Sequence, residues 1–405
     1  MKTRRNGLWR LLALVLVGGL LLAGRALAEP TATSIDWWVV AGGGGPASNG
    51  SIIVDGTAGQ AVAGPSSAGD LAVGAGYWYG APTGPLPLWP LAIHRSGAAD
   101  VRLDWNHVAD GAVYEVWRGT TPAFVAPMAG TKLADVTPAG GTPVGASLIY
   151  TDTGAFADTS HDYYYFVKSM TGGVPGLSNR VGKFVITLTP DWNLVAWPVL
   201  PPDTSLDGTL DAQLYGTADP LTADQVFAWD GDTQAFTTAW FCGGADCLSI
   251  WGPDFYNHWL ADDLSYSTLT LPADSGFWLV NLSGGDETLS VVGSVADSTR
   301  AVTIGTGWRM LGRTFPTAQA LDEAGLAGHG AADPLLADTV LYWDAALQSY
   351  QSAWLAGGPD CEPLWGELCG HWLADDLTPT TIVLEPGHGF WYLNTGAAFT
   401  WDDTP

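Results

Sequence analysis

The chain has 405 residues, of which 47% are hydrophobic and only 14% charged, and its formal net charge is −26. The apolar content supports packed cores and excludes a disordered acidic chain, while so acidic a surface excludes nucleic acid and anionic lipid as natural partners. This length accommodates about three folded domains.

Residues 1–28 read as a signal peptide. Lys2, Arg4, Arg5 and Arg10 precede the apolar run LLALVLVGGLLLAG, and Ala26-Leu27-Ala28 offers a small-residue cleavage site before Glu29. The expected mature protein is therefore secreted, extracellular or at the cell surface. Removal of the signal leaves ten Lys and Arg against forty-one Asp and Glu, a net charge of −31. No cysteine at the cleavage site marks a lipid anchor, and no later window of eighteen uncharged apolar residues calls for a membrane span.

Residues 29–80 form an expected β-meander, in which short apolar runs alternate with turn residues and Asn49-Gly50 and Asp55-Gly56 are hairpin signals. The glycine cluster at 42–45 precedes another strand where a dinucleotide loop needs a helix. TAGQAVAG and GAGYWYG resemble the opening module of other secreted bacterial proteins. The proline-rich APTGPLPLWP, residues 81–90, is a stiff linker.

From 91 to 188 the runs VRLDW, AVYEVWR, TKLADV, SLIYTD, DYYYFVKS and SNRVGKFVITL are strand-like and separated by turns. Their spacing predicts an antiparallel sandwich. Trp105, Tyr114, Val116, Tyr150, Asp152, Tyr164, Phe166 and the SNRV at 178–181 carry a resemblance to fibronectin type III domains. That resemblance implies a spacer or binding module with Trp105 and Tyr164 in the core between the sheets. It does not imply a reaction.

The remainder is written twice. DPLTADQVFAWD (219–230) matches DPLLADTVLYWD (333–344), Trp240 matches Trp354, and HWLADDL at 258–264 returns at 371–377. The expected repeats are 189–298 and 299–405, each mainly β, with a short capped helix near TSLDGTLDAQL and near TAQALDEAGL. The predicted fold class is thus mainly β and multi-domain: a β-meander, a fibronectin type III-like sandwich and two tandem β-rich repeats.

Four cysteines in an exported chain point to disulfides. Cys242 with Cys247, and Cys361 with Cys369, each close a small loop. Zinc lacks both CxxC spacing and a histidine pair.

HWLADDL supplies the candidate ligand-binding residues: His258, Asp262 and Asp263, then His371, Asp375 and Asp376. Two ligands per copy are too few for zinc. Calcium is the cofactor alternative through Asp262, Asp263 and loop carbonyls, although the DxDxDG ladder is absent. The structural alternative makes Trp and Leu core anchors and Asp-Asp a turn. No metal and no catalytic residue are assigned, since GxSxG, HExxH and Walker loops are all missing.

Fourteen of the 21 tryptophans lie beyond residue 190, and most recur between the repeats, which favours core positions. Trp401, Trp37 and Trp38 have no counterpart and are the expected exposed ones, with Asn257 and Asn281 as amide neighbours that suit a sugar. The reading from sequence is a non-enzymatic adhesion or scaffold protein whose partner is an extracellular protein or polysaccharide. A carbohydrate-binding protein is the alternative, and an extracellular hydrolase a more distant one.

Overall fold

The computed structural model describes residues 44–48, 53–57, 64–68, 71–75 and 90–405, apart from 110–111, 124–128 and 172–173. The expected signal peptide at 1–28, Trp37-Trp38 and linker residues 81–89 lie outside the described residues. The chain divides into two compact units, residues 1–83 and 84–405.

Within the first unit, Gly44–Ser48 pairs antiparallel with Ile53–Thr57, and Gly64–Ala68 with Leu71–Ala75. Asp55-Gly56 is therefore strand and not turn. In this register the dipeptide stands opposite Gly45 and Pro46, while Asn49-Gly50 lies outside the described residues.

The second unit is mainly β, and none of its described helices is long and apolar enough to cross a membrane. It begins as a sandwich. One sheet orders Ala92–Ser96, Asp100–Asn106 and Ser147–Asp152; the other orders Val181–Leu188, Tyr163–Thr171, Val113–Gly119 and Thr131–Val136. Three strands face four, as in a fibronectin type III-like fold. Trp105, Tyr114, Tyr163, Tyr165 and Val167 fill the space between the sheets.

Tyr164 departs from expectation. It is buried, but on the outer face of its sheet with Trp117 and Phe166. Alternation along the strand sends 163, 165 and 167 inward, so 164 must point the other way. The SNRV segment serves as a tie: Asn179 Oδ1 accepts the Leu91 amide at 2.7 Å, and Ser178 Oγ accepts that of Val167 at 2.9 Å.

The sandwich does not end cleanly at residue 188. Val181–Leu188 pairs with Tyr163–Tyr165 over three residues, yet it pairs along its full length with Glu287–Ser294, from Val181 opposite Ser294 to Leu188 opposite Glu287. Val181 packs in the sandwich core, whereas Phe184, Ile186 and Leu188 pack in the core of the first repeat. One strand thus belongs to two units. In the second repeat the equivalent pair is Arg300–Ile304 with Phe399–Asp403, which joins no other sheet.

Each repeat then builds a five-stranded antiparallel sheet. The first orders Asp191–Val195, Phe277–Asn281, Gln225–Asp230, Ala235–Cys242 and His258–Leu260. The second orders Gly307–Gly312, Gly389–Asn394, Thr339–Asp344, Ser349–Leu355 and Trp372–Ala374 in the same sequence. Duplicated letters have produced one topology twice. A short helix, Leu206–Thr209, is capped by the Ser205 side chain, and its counterpart is the single 3-10 turn Leu321–Glu323.

Disulfides join Cys242 to Cys247 and Cys361 to Cys369. Each staples a short helix, Gly244–Trp251 or Cys361–Trp365, beside the end of the sheet. The indoles of Trp251 and Trp365 donate to Ala218 O and Ala332 O, both at 2.9 Å, and hold the preceding loop against that helix.

A buried aspartate repeats as well. Asp224 accepts the amides of Leu282 at 2.7 Å and Tyr215 at 2.9 Å, and Asp338 accepts those of Thr395 and His329. In the first repeat Glu287 lies beside Asp224; burial, reinforced by that carboxyl, pushes Glu287 up to about 8. A carboxyl raised in the folded state stabilises below its unfolded pKa and loses that contribution as pH rises toward about 8. The melting temperature of Glu287→Gln relative to the parent is therefore expected to climb steadily between pH 5 and pH 8. A constant difference across that range, measured by calorimetry, contradicts the assignment.

Candidate binding face between the repeats

HWLADDL is a strand followed by a turn, not a helix. Trp259 and Leu260, like Trp372 and Leu373, are buried. Asp263 Oδ1 accepts from the amide and hydroxyl of Ser265, and Asp376 Oδ1 from those of Thr378, which closes a turn whose Leu264 or Leu377 has positive φ. Asp262 Oδ1 accepts from Thr238 Oγ1 at 2.7 Å, and Asp375 Oδ1 from Ser352 Oγ at 2.5 Å.

The histidines turn elsewhere. His258 Nδ1 meets Asp207 Oδ2 at 3.1 Å and His371 Nδ1 meets Asp322 Oδ2 at 2.5 Å, while the other oxygen of each aspartate accepts the next backbone amide, of Trp259 or Trp372. His258 thus pairs with a residue 51 positions away and not with Asp262 or Asp263. The same arrangement serves both copies: each pair pins the short helical turn to the strand end. Among the described residues, no three His, Cys, Asp or Glu side chains gather where a metal ion could sit.

Trp401 is a correction. It is fully buried, its indole donates to Ala324 O at 2.8 Å, and it stands opposite Val302 in the strand pair that closes the second core. Leu289, opposite Ile186, occupies that place in the first repeat, which is why no matching tryptophan appears there. Asn281 is likewise structural, donating to Leu188 O and Gly285 O.

The aromatic residues instead meet between the repeats. One face of each five-stranded sheet covers its own core; the opposite faces press together through Leu194, Trp278, Met310 and Trp391, with Phe227, Trp229, Trp308, Leu341 and Trp343 around them. Contacts occur in equivalent pairs. Trp229 Nε1 donates to Trp308 O and Trp343 Nε1 to Trp192 O, both at 2.8 Å. Gln234 clasps the backbone of Trp308 and Gln348 that of Trp192, each accepting the amide and donating to the carbonyl. Both glutamines have positive φ at hairpin tips, a strained position that this two-point clasp offsets.

Two glycines permit this approach. A Cβ on Gly276 would lie 2.8 Å from Leu311 O, and one on Gly389 would lie 2.9 Å from Val195 O. The backbones cross in contact there, about an approximate twofold axis. Edge-to-face packing of Trp278 on Trp343 and of Trp229 on Trp391, each with centroids 5.2 Å apart, fills the space on either side.

This packing leaves an open cleft. Trp229, Phe236, Trp278, Trp308, Leu341, Tyr350 and Trp391 enclose about 400 Å³. Trp192, Phe236 and Tyr350 remain 39%, 43% and 44% exposed. A neighbouring groove of about 380 Å³ runs past Phe227, Thr238, Asp262 and Leu264. None of the cleft residues was singled out as exposed from sequence, although the pairing of Phe236 with Tyr350, at the offset that pairs Trp240 with Trp354, was a usable signal.

A further cleft of about 450 Å³ separates the sandwich from the first repeat. It is spanned by an ion pair, Arg95 to Asp211 at 2.5 Å, with the guanidinium over the Phe156 ring. Its acidic residues include Asp207, already committed to His258.

No family model matches this chain, and no curated protein matches it. Among solved structures, a crystal structure of the FN1–FN3 domains of chicken CNTN1 aligns with 79% of this chain and 99% of its own, at 12% identity and a TM-score of 0.18. At that score the likeness carries no argument about fold or function.

Proposed function

We propose that the protein is an exported, non-catalytic adhesion or scaffold protein, and that it binds its extracellular partner through the aromatic cleft between the repeats. The observation that carries this reading is the cleft itself. Exposed large aromatics on a rigid, two-walled surface are a common basis for recognition, because they add contact area at little cost in conformational entropy. The basic, then apolar, first 28 residues, the paired cysteines and the acidic surface support export. Support for a non-catalytic role comes from the repeated His–Asp pairs, which are exposed and bonded to a helical turn and a strand end in both copies.

The test is fractionation of cells expressing the full chain, followed by sedimentation of the purified mature protein with isolated cell-envelope and extracellular-matrix material. A mature N-terminus at Glu29 and co-sedimentation are expected. Cytoplasmic retention of the uncleaved chain, or failure to sediment with any of this material, rejects the reading.

A further inference from the structure

We propose that the cleft between the repeats binds a neutral polysaccharide laid across the approximate twofold axis, with Asp262 and Asp375 receiving its hydroxyls on the two sides. This rests on the reading of the protein as a binding module and names its ligand class.

The central lining contains no charged side chain. It offers ring faces and edges, which suit the C–H face of a pyranose. Polar groups lie at the sides. Thr238 stands directly opposite Phe227 in the first sheet, and Ser352 directly opposite Leu341 in the second. Opposed residues of an antiparallel pair share one face, so the Thr238–Asp262 and Ser352–Asp375 pairs sit beside the apolar floor on both sides. Phe227 continues into the cleft against Phe236, at 6.3 Å between centroids.

Each aspartate is exposed, and one of its oxygens takes the neighbouring hydroxyl. Carboxylates only accept hydrogen bonds, so the fitting ligand brings many donors and no negative charge. A polyol chain does so. An anionic polymer meets carboxylates on an already acidic surface, and a proline-rich peptide, whose prolines have no N–H, brings few donors. Two near-equivalent halves also suit a polymer that repeats along its length, since each half contributes to the retention of the other.

The test is affinity electrophoresis of the mature protein in gels containing mixed-linkage β-glucan, galactomannan, xylan or polygalacturonate, with oligoproline titrated separately by tryptophan fluorescence. Retardation by at least one neutral glycan is expected. Phe236→Ala combined with Tyr350→Ala should weaken it roughly tenfold, with the circular dichroism spectrum unchanged and only a small fall in melting temperature, because both rings sit at the rim of the interface, 43% and 44% exposed. Asp262→Asn with Asp375→Asn should weaken it several-fold. Retention in no neutral glycan, tighter binding of polygalacturonate or oligoproline, or undiminished retention of the aromatic double variant overturns the proposal. If envelope sedimentation persists while every neutral glycan fails, the ligand class is wrong and the binding reading stands; if sedimentation fails too, both fall.

Discussion

Asp403→Ala is expected to destabilise the second unit by about 3–5 kcal/mol, the usual cost of stripping one partner from a buried ion pair. Asp403 and Arg313 are both essentially inaccessible, with Arg313 Nε donating to Asp403 Oδ1 at 3.0 Å. The other carboxylate oxygen accepts the Thr314 amide at 2.9 Å and hydroxyl at 3.0 Å, and Arg313 Nη1 donates to Thr317 O at 2.7 Å. Truncation leaves the guanidinium buried without its counter-charge and the Thr314 amide without its acceptor. The first repeat shows how the same space is filled without charge. Strand pairing places Val291 where Asp403 stands; Val195 and Leu311 likewise stand opposite the equivalent Phe277 and Phe390, so Trp197, two residues on, holds the position of Arg313, and both are buried. Arg313→Met with Asp403→Leu should accordingly recover most of the loss. Urea unfolding of the parent and the two variants measures this, and a double variant no better than Asp403→Ala refutes it.

Gly389→Val should separate the repeats. A Cβ there would lie 2.9 Å from Val195 O and 3.2 Å from the Cα of Gly276, closer than the two backbones tolerate. Overpacking of this kind costs about 1–3 kcal/mol, and here the displaced sheet also drags on the paired indole bonds of Trp229 and Trp343. The expected signature is a fall in melting temperature with a red-shifted tryptophan emission, as Trp278 and Trp391 gain access to water. The disulfides and the sandwich core are remote from the change and should persist. An unshifted emission spectrum contradicts this account of the interface.

Much of the architecture was readable from local pattern. Alternation marked the sandwich strands, and the duplicated strings marked units that share one strand order. The turn chemistry of Asp263 and Asp376 was also readable, because an aspartate accepting the amide two residues on is a local event. His258 and His371 were not. Their partners, Asp207 and Asp322, are 51 and 49 residues away, and nothing in HWLADDL marks that distance. The tryptophans illustrate the same divide. Their excess and recurrence were plain, but which face of each sheet is covered, and by what, depends on the neighbour: Trp401 closes a core, Trp278 and Trp391 pack between repeats, and Phe236 and Tyr350 stay exposed.

By itself the sequence determined the class of the fold, its duplication and the aspartate turns of the two repeats, since periodicity and aspartate chemistry act within a few residues. Only the tertiary structure decided that one strand serves both the sandwich and the first repeat, that the two repeats press their spare faces together at Gly276 and Gly389, and that an aromatic cleft opens beside that crossing. Those outcomes depend on long-range burial of faces that each unit, taken alone, would leave exposed to water.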